Sequence, residues 1–369
     1  MAQSERKIRY VVIGAGHIAQ VAVLPAFQHA NENSELVGIV SSDAEKRDVL
    51  AQRHKLAFAV DYDDLEQALK DAHVDAAYVA VPNGLHRELT ERVARAGVHV
   101  LCEKPMAESV DDCRAMIAVC KDSGVKLMIA YRLHFEAANL SAIACVKSGV
   151  VGEPRIFSSV FTQMVRQGDV RTQGELAGGA LYDMGVYAIN AARYIFQDEP
   201  VEVLASCQTN FDERFTDVDA TTTAILRFSG GRVAQFTASL AAASVSSYRV
   251  IGTLGELRVE PAYDYKLPLT HHLTIGDKTS TRCFPPGDQF APELVHFSDC
   301  ILHDREPAPS GEEGLADVRI VRAIFRSAET GKAVVLTPYH PSSRPSIEQE
   351  LHLPPVQKVE PVKARPPSL

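Results

Sequence analysis

The sequence predicts an α/β fold, with a doubly wound parallel sheet first and then an α+β part built on a mainly antiparallel, open-faced sheet. From Arg6 to about Ala130, short apolar runs alternate with amphipathic helical stretches, which is the pattern of a parallel sheet covered by helices. After Tyr131-Arg132 the period changes, and longer alternating segments indicate antiparallel strands with one buried face. A hairpin turn at Ser229-Gly230-Gly231-Arg232 joins two of these segments.

Composition limits the classes of function. The chain has 369 residues, of which 46% are hydrophobic and 23% charged, enough for two domains with sizeable cores. A net charge of -9 argues against nucleic acids and acidic membrane surfaces as partners, because these bind clustered lysine and arginine. No apolar run is long enough to span a membrane, and Met1–Glu5 does not resemble a signal peptide. We therefore expect a cytoplasmic protein that acts on a small molecule.

Cysteine and histidine give no indication of a metal site. The 7 cysteines are scattered without a CxxC pair, so reduced thiols are expected. The 13 histidines show no pair at metal-ligand spacing within one helix, and the adjacent His271-His272 would point to opposite faces of a strand.

The first element predicts a dinucleotide-binding site. The β-branched run Ile8–Ile13 leads into Gly14-Ala15-Gly16-His17-Ile18-Ala19 and then into a helix that runs toward Phe27. This is the G-x-G-x-x-A pattern, in which Gly14 allows the tight turn, Gly16 lets the backbone approach a pyrophosphate and Ala19 packs the helix against the strand. A plain glycine turn is the alternative. The position between a strand and a helix favours a Rossmann domain, which we place at residues 1–130.

The end of the second strand favours NADP over NAD. The strand Ser34–Val40 ends in Ser41-Ser42, where NAD enzymes usually carry a carboxylate for the ribose hydroxyls. Lys46 and Arg47 follow within reach of a 2'-phosphate, although both could be ordinary solvated charges. Asp43 argues against this preference. If the register of the motif were shifted by two positions, Asp43 would be the acidic partner that NAD enzymes use.

The remaining elements of the first domain follow in order. They are a strand at 75–81, a helix at 84–96, a strand at 98–102, a helix at 109–123 with Ser109 as N-cap, and a strand at 126–130.

The second domain is placed at residues 131–340. It begins with the helix Ala137–Lys147, and predicted strands follow at 155–163, 203–209, 220–228, 232–240 and 248–259. Ala234, Phe236, Ala238 and Leu240 share one face of a strand, and the other face is mostly small and polar. Such a sheet could present its open face to a second subunit, so a homodimer or homotetramer is expected.

Two helices, at 291–303 and 312–331, are expected to close the second domain. Residues 341–369 are rich in proline and lack periodicity, which predicts a tail that is either disordered or a wrapping arm.

Two short segments carry the candidate chemistry. Glu103-Lys104-Pro105 ends the strand at 98–102, where open α/β sheets bind their ligands, although a surface lysine is the plainer interpretation. In the second segment, Gly178-Gly179 enters a helix in which Asp183 and Tyr187 lie four residues apart and therefore on one face. A core tyrosine behind a helix-start aspartate is the alternative here.

Taken together, these motifs resemble the Gfo/Idh/MocA oxidoreductase family. The resemblance rests on the glycine loop at 14–19, Val81-Pro82-Asn83 with His86, Glu103-Lys104-Pro105, and Gly178-Gly179 with Asp183, in the family's order. Tyr187, where most members carry histidine, is similar to the glucose-fructose oxidoreductase branch, whose members bind NADP. The resemblance implies an NADP-dependent sugar or polyol oxidoreductase. The residues implied to contact the cofactor are Gly14, Gly16, His17, Ile18, Ser41, Ser42, Lys46, Pro82, Asn83, His86, Glu103, Lys104 and Arg132.

The reaction needs a proton carrier besides the cofactor. Oxidising a sugar hydroxyl requires loss of a hydride, which the nicotinamide accepts, and loss of a proton. A tyrosine titrates near about 10, and a neighbouring ammonium favours its phenolate, so Lys104 could prepare Tyr187 as the base. Asp183 would orient the substrate hydroxyl. Arg132 could reach substrate oxygens or form a structural salt bridge, and His86 is expected to shape the cofactor loop rather than transfer a proton.

Two other functions use the same fold. A non-catalytic NAD(P)-binding regulator would need neither Lys104 nor Tyr187. An NAD-dependent glycosidase would use the cofactor transiently and show no net NADPH change. The sugar itself depends on loops at 164–177 and 263–270, and the sequence is compatible with a dissociable as well as a tightly held NADP.

Overall fold

The computed structural model describes residues 6–209, 211–341 and 343–368, so the prediction about Met1–Glu5 lies outside the described residues. The chain forms two compact units. The first comprises Met1–Arg132, Gly287–Leu315 and His352–Pro366, and the second comprises Leu133–Pro286, Ala316–Leu351 and Pro367–Leu369. These units differ from the predicted segments 1–130, 131–340 and 341–369 chiefly because two later stretches of chain join the first unit.

The first unit is built on a six-stranded parallel sheet in the order β3-β2-β1-β4-β5-β6. Its central strands are buried on both faces, which explains their continuous β-branched and apolar sequences. This strand order places a topological switch point between β1 and β4, where a dinucleotide binds in such sheets. The strands are β1 Ile8–Ile13, β2 Ser34–Val40, β3 Phe58–Val60, β4 Ala76–Val79, β5 His99–Glu103 and β6 Leu127–Ala130.

Helices connect these strands. They are α1 Leu24–Ala26, α2 Ala44–His54, α3 Leu65–Asp71, α4 His86–Arg95 and α5 Val110–Asp122. The predicted N-cap of α5 is confirmed, since Ser109 Oγ accepts a hydrogen bond from Asp112 N at 3.1 Å. The helix expected from Ala19 toward Phe27 is irregular: a π-helical turn, Ala19–Val23, precedes the short α1. Pro25 has no N–H to donate to the preceding turn, so regular α-helical bonding is interrupted there.

The helix expected to close the second domain at 291–303 instead belongs to the first unit. This helix, α8 Ala291–Leu302, comes after two helices of the second unit, α6 Ala137–Lys147 and α7 Val186–Phe196, and after eight of the nine strands given below. Its buried Ser298 lies 2.9 Å (Oγ to OH) from Tyr10 of β1. A polar contact of this kind, buried between distant segments, leaves no periodic signal in the sequence.

The second unit is built on a nine-stranded sheet in the order β14-β13-β12-β11-β7-β10-β9-β8-β15. The β7–β10 pair is parallel and the other neighbours are antiparallel, which confirms the predicted fold class. The strands are β7 Pro154–Met164, β8 Pro200–Gln208, β9 Thr221–Phe228, β10 Val233–Ser239, β11 Ala241–Gly252, β12 Gly255–Val259, β13 Leu269–Ile275, β14 Lys278–Phe284 and β15 Val334–Val335.

One strand prediction was wrong, and one hairpin was missed. The segment 248–259 forms parts of two strands, β11 and β12, which pair with each other across the turn Thr253-Leu254. The β13–β14 hairpin was missed, because six of the seven residues of β14 are exposed and show no apolar alternation. His271 and His272 nevertheless lie on β13 as expected, the first buried and the second half-buried.

Helices cover the inner face of this sheet. The predicted buried face of β10 is confirmed, since Ala234, Phe236, Ala238 and Leu240 are all buried. They belong to one apolar core with residues of α6, α7 and α9 Gly311–Thr330. Within the described residues, no helix is long and apolar enough to cross a membrane.

Candidate active site

The glycine loop after β1 leaves room for a phosphate group. Gly14 has a φ of +103°, and a Cβ there would lie 2.3 Å from the carbonyl oxygen of Ala80, so only glycine fits. Gly16 is exposed, and no atom lies within 4 Å of the position that its Cβ would occupy. His17 and Ile18 are half-buried beside it, and Ala19 is fully buried. The loop therefore has the cradle that a dinucleotide pyrophosphate needs.

Asp43, the carboxylate near the end of β2 that would favour NAD, has a structural role. Asp43 is the N-cap of α2, where its Oδ1 accepts a hydrogen bond from Lys46 N at 3.1 Å. This hydrogen bond is the main reason why the pKa of Asp43 is lowered. Ser41 is buried and its Oγ accepts from Asp43 N at 3.3 Å, whereas Ser42 is exposed. The Lys46 side chain is half-buried on the first turn of α2.

The Arg47 side chain is held near the end of β2 by two hydrogen bonds. Its guanidinium donates to the carbonyl oxygen of Ser41 and, at 2.8 Å, to the carboxylate of Asp61. Arg47 therefore links the loop after β2 to the loop after β3 and is not the ordinary solvated charge that was its alternative.

A buried hydrogen-bond network lies behind Lys104. The Tyr78 hydroxyl donates to Glu103 Oε1 at 2.9 Å, and Lys104 N donates to Glu103 Oε2 at 3.3 Å. Burial raises the pKa of Glu103, and the opposing charge of Lys104 and the Tyr78 bond only partly offset this. The Lys104 side chain itself is half-buried at the carboxyl end of β5.

His86 connects two loops of the first unit. It is fully buried, with Nδ1 2.9 Å from the carbonyl oxygen of Pro105 and Nε2 3.0 Å from that of Val81. Burial lowers its pKa. The loop after β4, with half-buried Pro82 and Asn83, is thus tied to the Glu103-Lys104-Pro105 turn. This geometry fits the loop-shaping role expected of His86.

Arg132 and Glu293 are two further charged residues that interact electrostatically with Glu103. Arg132 is buried and its guanidinium donates to the side-chain oxygen of Gln289. Glu293, on α8, is fully buried, and its carboxyl oxygens make no hydrogen bond within the described part of the chain. Burial, followed by the nearby charge of Glu103, raises the pKa of Glu293 well above its ordinary range. Sequence reasoning missed Glu293, whose segment lies far from the motifs along the chain.

In the second unit, Asp183 and Tyr187 share an accessible face. A π-helical turn, Leu181–Gly185, leads directly into α7, and Asp183 and Tyr187 lie on these two consecutive pieces. Within residues 181–190, all of which are described, these two side chains are half-buried and the other eight residues are buried. Asp183 and Tyr187 are therefore the two residues that this otherwise buried segment leaves partly accessible.

Other side chains fix the position of this pair. Arg171 Nε donates to Asp183 Oδ2 at 2.8 Å, and Arg171 Nη1 also contacts Asp169 at 3.2 Å. The Tyr187 ring packs edge-on against Phe161, with centroids 5.5 Å apart, and lies 5.8 Å from the Tyr263 ring. Arg171 was missed individually, although the loop at 164–177 was predicted to shape the pocket.

Asp219 anchors the start of this helical segment. Its Oδ2 accepts hydrogen bonds from Leu181 N at 2.8 Å and from the Thr222 hydroxyl at 2.6 Å. A Cβ on Gly179 would lie 2.1 Å from Asp219 Oδ1, so the glycine is needed for this approach. Burial raises the pKa of Asp219 to about 6. No motif pointed to this residue.

Lys104 lies in the first unit and Asp183 and Tyr187 lie in the second, so the predicted Lys104–Tyr187 pair stays a prediction. In the described residues, no group of three or more His, Cys, Asp or Glu side chains could hold a metal ion.

Comparison with known proteins identifies the family. Residues 8–131 match the oxidoreductase family with an NAD-binding Rossmann fold, and residues 140–258 match the GFO/IDH/MocA C-terminal domain. D-xylose 1-dehydrogenase [NADP(+)] of Haloarcula marismortui is 33% identical over 345 residues, which cover 90% of this chain and 94% of that one. 1,5-Anhydro-D-fructose reductase of Ensifer adhaerens is 29% identical, covering 88% and 97%.

A solved structure supports the same family assignment. The crystal structure of aldose-aldose oxidoreductase from Caulobacter crescentus, complexed with glycerol, is 38% identical with a TM-score of 0.85 and covers 90% of this chain and 100% of that one. These matches confirm the family predicted from the motifs. The chain belongs to the Gfo/Idh/MocA oxidoreductase family.

Proposed function

We propose that this protein is an NADP-dependent oxidoreductase that transfers hydride between the nicotinamide and a hydroxyl or carbonyl of a sugar or polyol. Lys104, Tyr187 and Asp183 are the proposed catalytic residues. The observation that carries the proposal is the partly accessible face of the helical segment, where a phenol and a carboxylate are half-buried among buried neighbours. The cradle at Gly16 supports the cofactor part of the proposal.

The proposed chemistry divides between cofactor and protein. NADP, when bound, accepts or donates the hydride. The Tyr187 phenolate takes up the proton of the substrate hydroxyl during oxidation, and the Tyr187 phenol returns it during reduction. The ammonium of Lys104 stabilises negative charge that develops on the substrate oxygen. Asp183 is held by Arg171 at 2.8 Å and so offers a fixed acceptor for a substrate hydroxyl.

An aldose is the proposed substrate class. Relatives named for aldoses include the xylose dehydrogenase and the aldose-aldose oxidoreductase, each matching about 90% of this chain. Oxidation at C1 of a cyclic aldose would remove a hydride from C1 and a proton from its hydroxyl and give a lactone. We also propose that the protein forms a homodimer or homotetramer through the open face of the nine-stranded sheet. A cytoplasmic location is proposed as well.

A substrate screen tests this function. The purified protein is incubated with NADP or NAD and a panel of aldoses, ketoses and polyols, and the absorbance of the reduced cofactor is followed. A second arm mixes two aldoses without added cofactor and measures the acid and the alditol that a coupled transfer would form. We expect turnover with at least one aldose and a preference for NADP.

Variants make the screen specific. Lys104→Met should reduce turnover about 10²–10⁴-fold, as loss of an acid/base or charge-stabilising group does. Lys278→Met, which removes the same charge from an exposed position on β14, should leave turnover unchanged. NADPH binding without turnover of any sugar would instead support a regulator, and turnover of a glycoside without net NADPH change would support a glycosidase.

A further inference from the structure

The proline-rich carboxyl-terminal segment packs within the first unit. Residues His352–Pro366 belong to that unit, and the segment begins with a backbone hydrogen bond from Asp288 N to the carbonyl oxygen of Leu353 at 3.0 Å. Farther along, Arg53 on α2 donates to the carbonyl oxygen of Glu360 at 3.0 Å. Of the two alternatives for the tail, these contacts fit a wrapping arm.

One buried side chain joins this segment to the glycine loop. Gln20 is 1% exposed and lies in the helical turn directly after the loop. Its Nε2 donates to the carbonyl oxygens of Ala15, at 2.9 Å, and Val362, at 3.0 Å, and its Oε1 accepts from Val362 N at 2.7 Å. The same amide thus bonds to both the glycine loop and the carboxyl-terminal segment.

The next residue, Lys363, brings a positive charge to the end of β2. Its Nζ lies 2.8 Å from Glu45 Oε2 and 3.5 Å from Asp43 Oδ2, and its side chain is 50% exposed. In this fold the cofactor ribose that carries or lacks the 2'-phosphate binds at the end of the second strand. An ammonium there can pair with a phosphate.

The local charges explain why a lysine is needed. Asp43 and Glu45 are acidic, and uncompensated they would repel a phosphate carrying nearly two negative charges. Arg47 is engaged with Asp61 at 2.8 Å, and Lys46 lies on the first turn of α2. Lys363 therefore supplies a positive charge from outside the sheet and its helices.

We propose that residues 352–366 form a cofactor strap and that Lys363 is a specificity-determining residue for the 2'-phosphate of NADP. The strap crosses the adenosine side of the cofactor site, where Gln20 fixes it, and Lys363 offsets Asp43 and binds the phosphate. This inference rests on the NADP part of the proposed function. It adds a residue from the far end of the chain to the cofactor site.

Equilibrium binding tests the role of Lys363. Dissociation constants for NADPH and NADH are measured by fluorescence for the native chain and for Lys363→Met. Loss of a charge-assisted hydrogen bond to the phosphate should weaken NADPH binding about tenfold or more, and NADH binding should change less than about twofold. Lys358→Met removes a charge from the same segment at a side chain that is 91% exposed, and should change neither constant.

A charge-compensation variant sharpens the test. In the Lys363→Met background, Asp43→Asn should recover part of the lost NADPH affinity, because asparagine keeps the N-cap of α2 and removes the repelling charge. Equal weakening of NADPH and NADH by Lys363→Met, or no change in either constant, would overturn the assignment of Lys363.

The strap is tested by the rate of cofactor release. Gln20→Met removes all three hydrogen bonds while keeping the side-chain length, and NADPH should then dissociate faster in stopped-flow displacement. Gln28→Met, at an exposed position nearby, is the matched control. An unchanged release rate in a folded Gln20→Met protein would overturn the strap. If that variant does not fold, the dissociation constants of Lys363→Met for NADPH and NADH test the proposal instead.

The outcomes separate this inference from the proposed function. If the native chain binds NADPH but turns over no sugar, the proposed activity fails and the strap experiments still apply. If it binds neither NADPH nor NADH, both proposals fail.

Discussion

At the scale of single residues, the carboxyl groups of Glu103 and Glu293 make stability depend on pH. The folded-state pKa of Glu293 is raised by burial and by the charge of Glu103, whose own pKa is also raised by burial. A carboxyl with a raised pKa holds its proton in the folded state when the unfolded state has lost it. The free energy of unfolding therefore falls as pH rises above the ordinary glutamate range near about 4.3.

Glu293→Gln should reduce this dependence. Glutamine cannot ionise, so the variant should gain stability relative to the native protein as pH rises from about 4 to 8, by at least about 1 kcal/mol at the upper end. Thermal melting at a series of pH values measures it. A control, Glu312→Gln, at an exposed position at the start of α9, should show no such trend. If the melting temperatures of Glu293→Gln and the native protein change with pH to the same extent, the role given to Glu293 is contradicted.

Sequence reasoning identified some of these residues and missed others for a physical reason. The roles proposed for Gly14, Gly16 and Lys104 follow from their positions directly after strands, which local pattern reveals. Asp219 and Glu293 act on segments far away along the chain, Asp219 through its bond to Leu181 N and Glu293 through burial beside Glu103. Contacts of that range leave no local pattern to recognise.

At the scale of elements, α7 is held by a buried ionic network. Arg193 is fully buried, and its guanidinium lies 2.6 Å from Asp317 and 2.8 Å from Glu199. Asn190, one turn earlier, donates to Asp317 at 2.9 Å and accepts from His134 at 2.8 Å. The same helix carries Tyr187 at its start, so the network fixes the element on which the proposed base lies.

Removing the central charge should destabilise the second unit. Arg193→Met leaves the carboxylates of Asp317 and Glu199 without their main partner, and breaking a buried pair in this way costs about 3–5 kcal/mol. Chemical denaturation measures the loss. Arg326→Met, at an exposed position on α9, should change stability by less than about 0.5 kcal/mol. A loss in Arg193→Met no larger than that of the control would contradict a structural role for the network.

Element prediction succeeded where the pattern was strong. The helix Ala137–Lys147 has the predicted bounds, and the hairpin at 229–232 joins β9 and β10 as expected. It failed at β14, whose exposed residues alternate too little, and at α8, whose place in the first unit depends on buried contacts such as that of Ser298 with Tyr10.

At the scale of the whole molecule, the open face of the nine-stranded sheet bears on assembly. The strand register aligns Leu204, Ile225, Gln235 and Ser158 in one row across β8, β9, β10 and β7. Leu204 and Ile225 are 41% and 37% exposed. A mixed apolar and small polar surface of this kind suits a second copy of the chain, as the sequence pattern also predicted.

A charge on this face should disrupt the proposed oligomer. Ile225→Asp places a carboxylate in the middle of the row, and we expect the mass measured by light scattering to fall toward that of one chain. Leu254→Asp, at a 64% exposed position in the turn between β11 and β12, is the control. An unchanged mass for Ile225→Asp, or a native protein that is already monomeric, would contradict assembly through this face.

The proposed function depends above all on proton transfer by Tyr187 in an NADP-linked sugar reaction. The most direct measurement compares Tyr187→Phe with the native protein in sugar-dependent NADPH turnover and in NADPH affinity, with Tyr339→Phe as a control outside the proposed site. We expect kcat to fall about 10²–10⁴-fold while the dissociation constant for NADPH stays unchanged. Native turnover by Tyr187→Phe would contradict it.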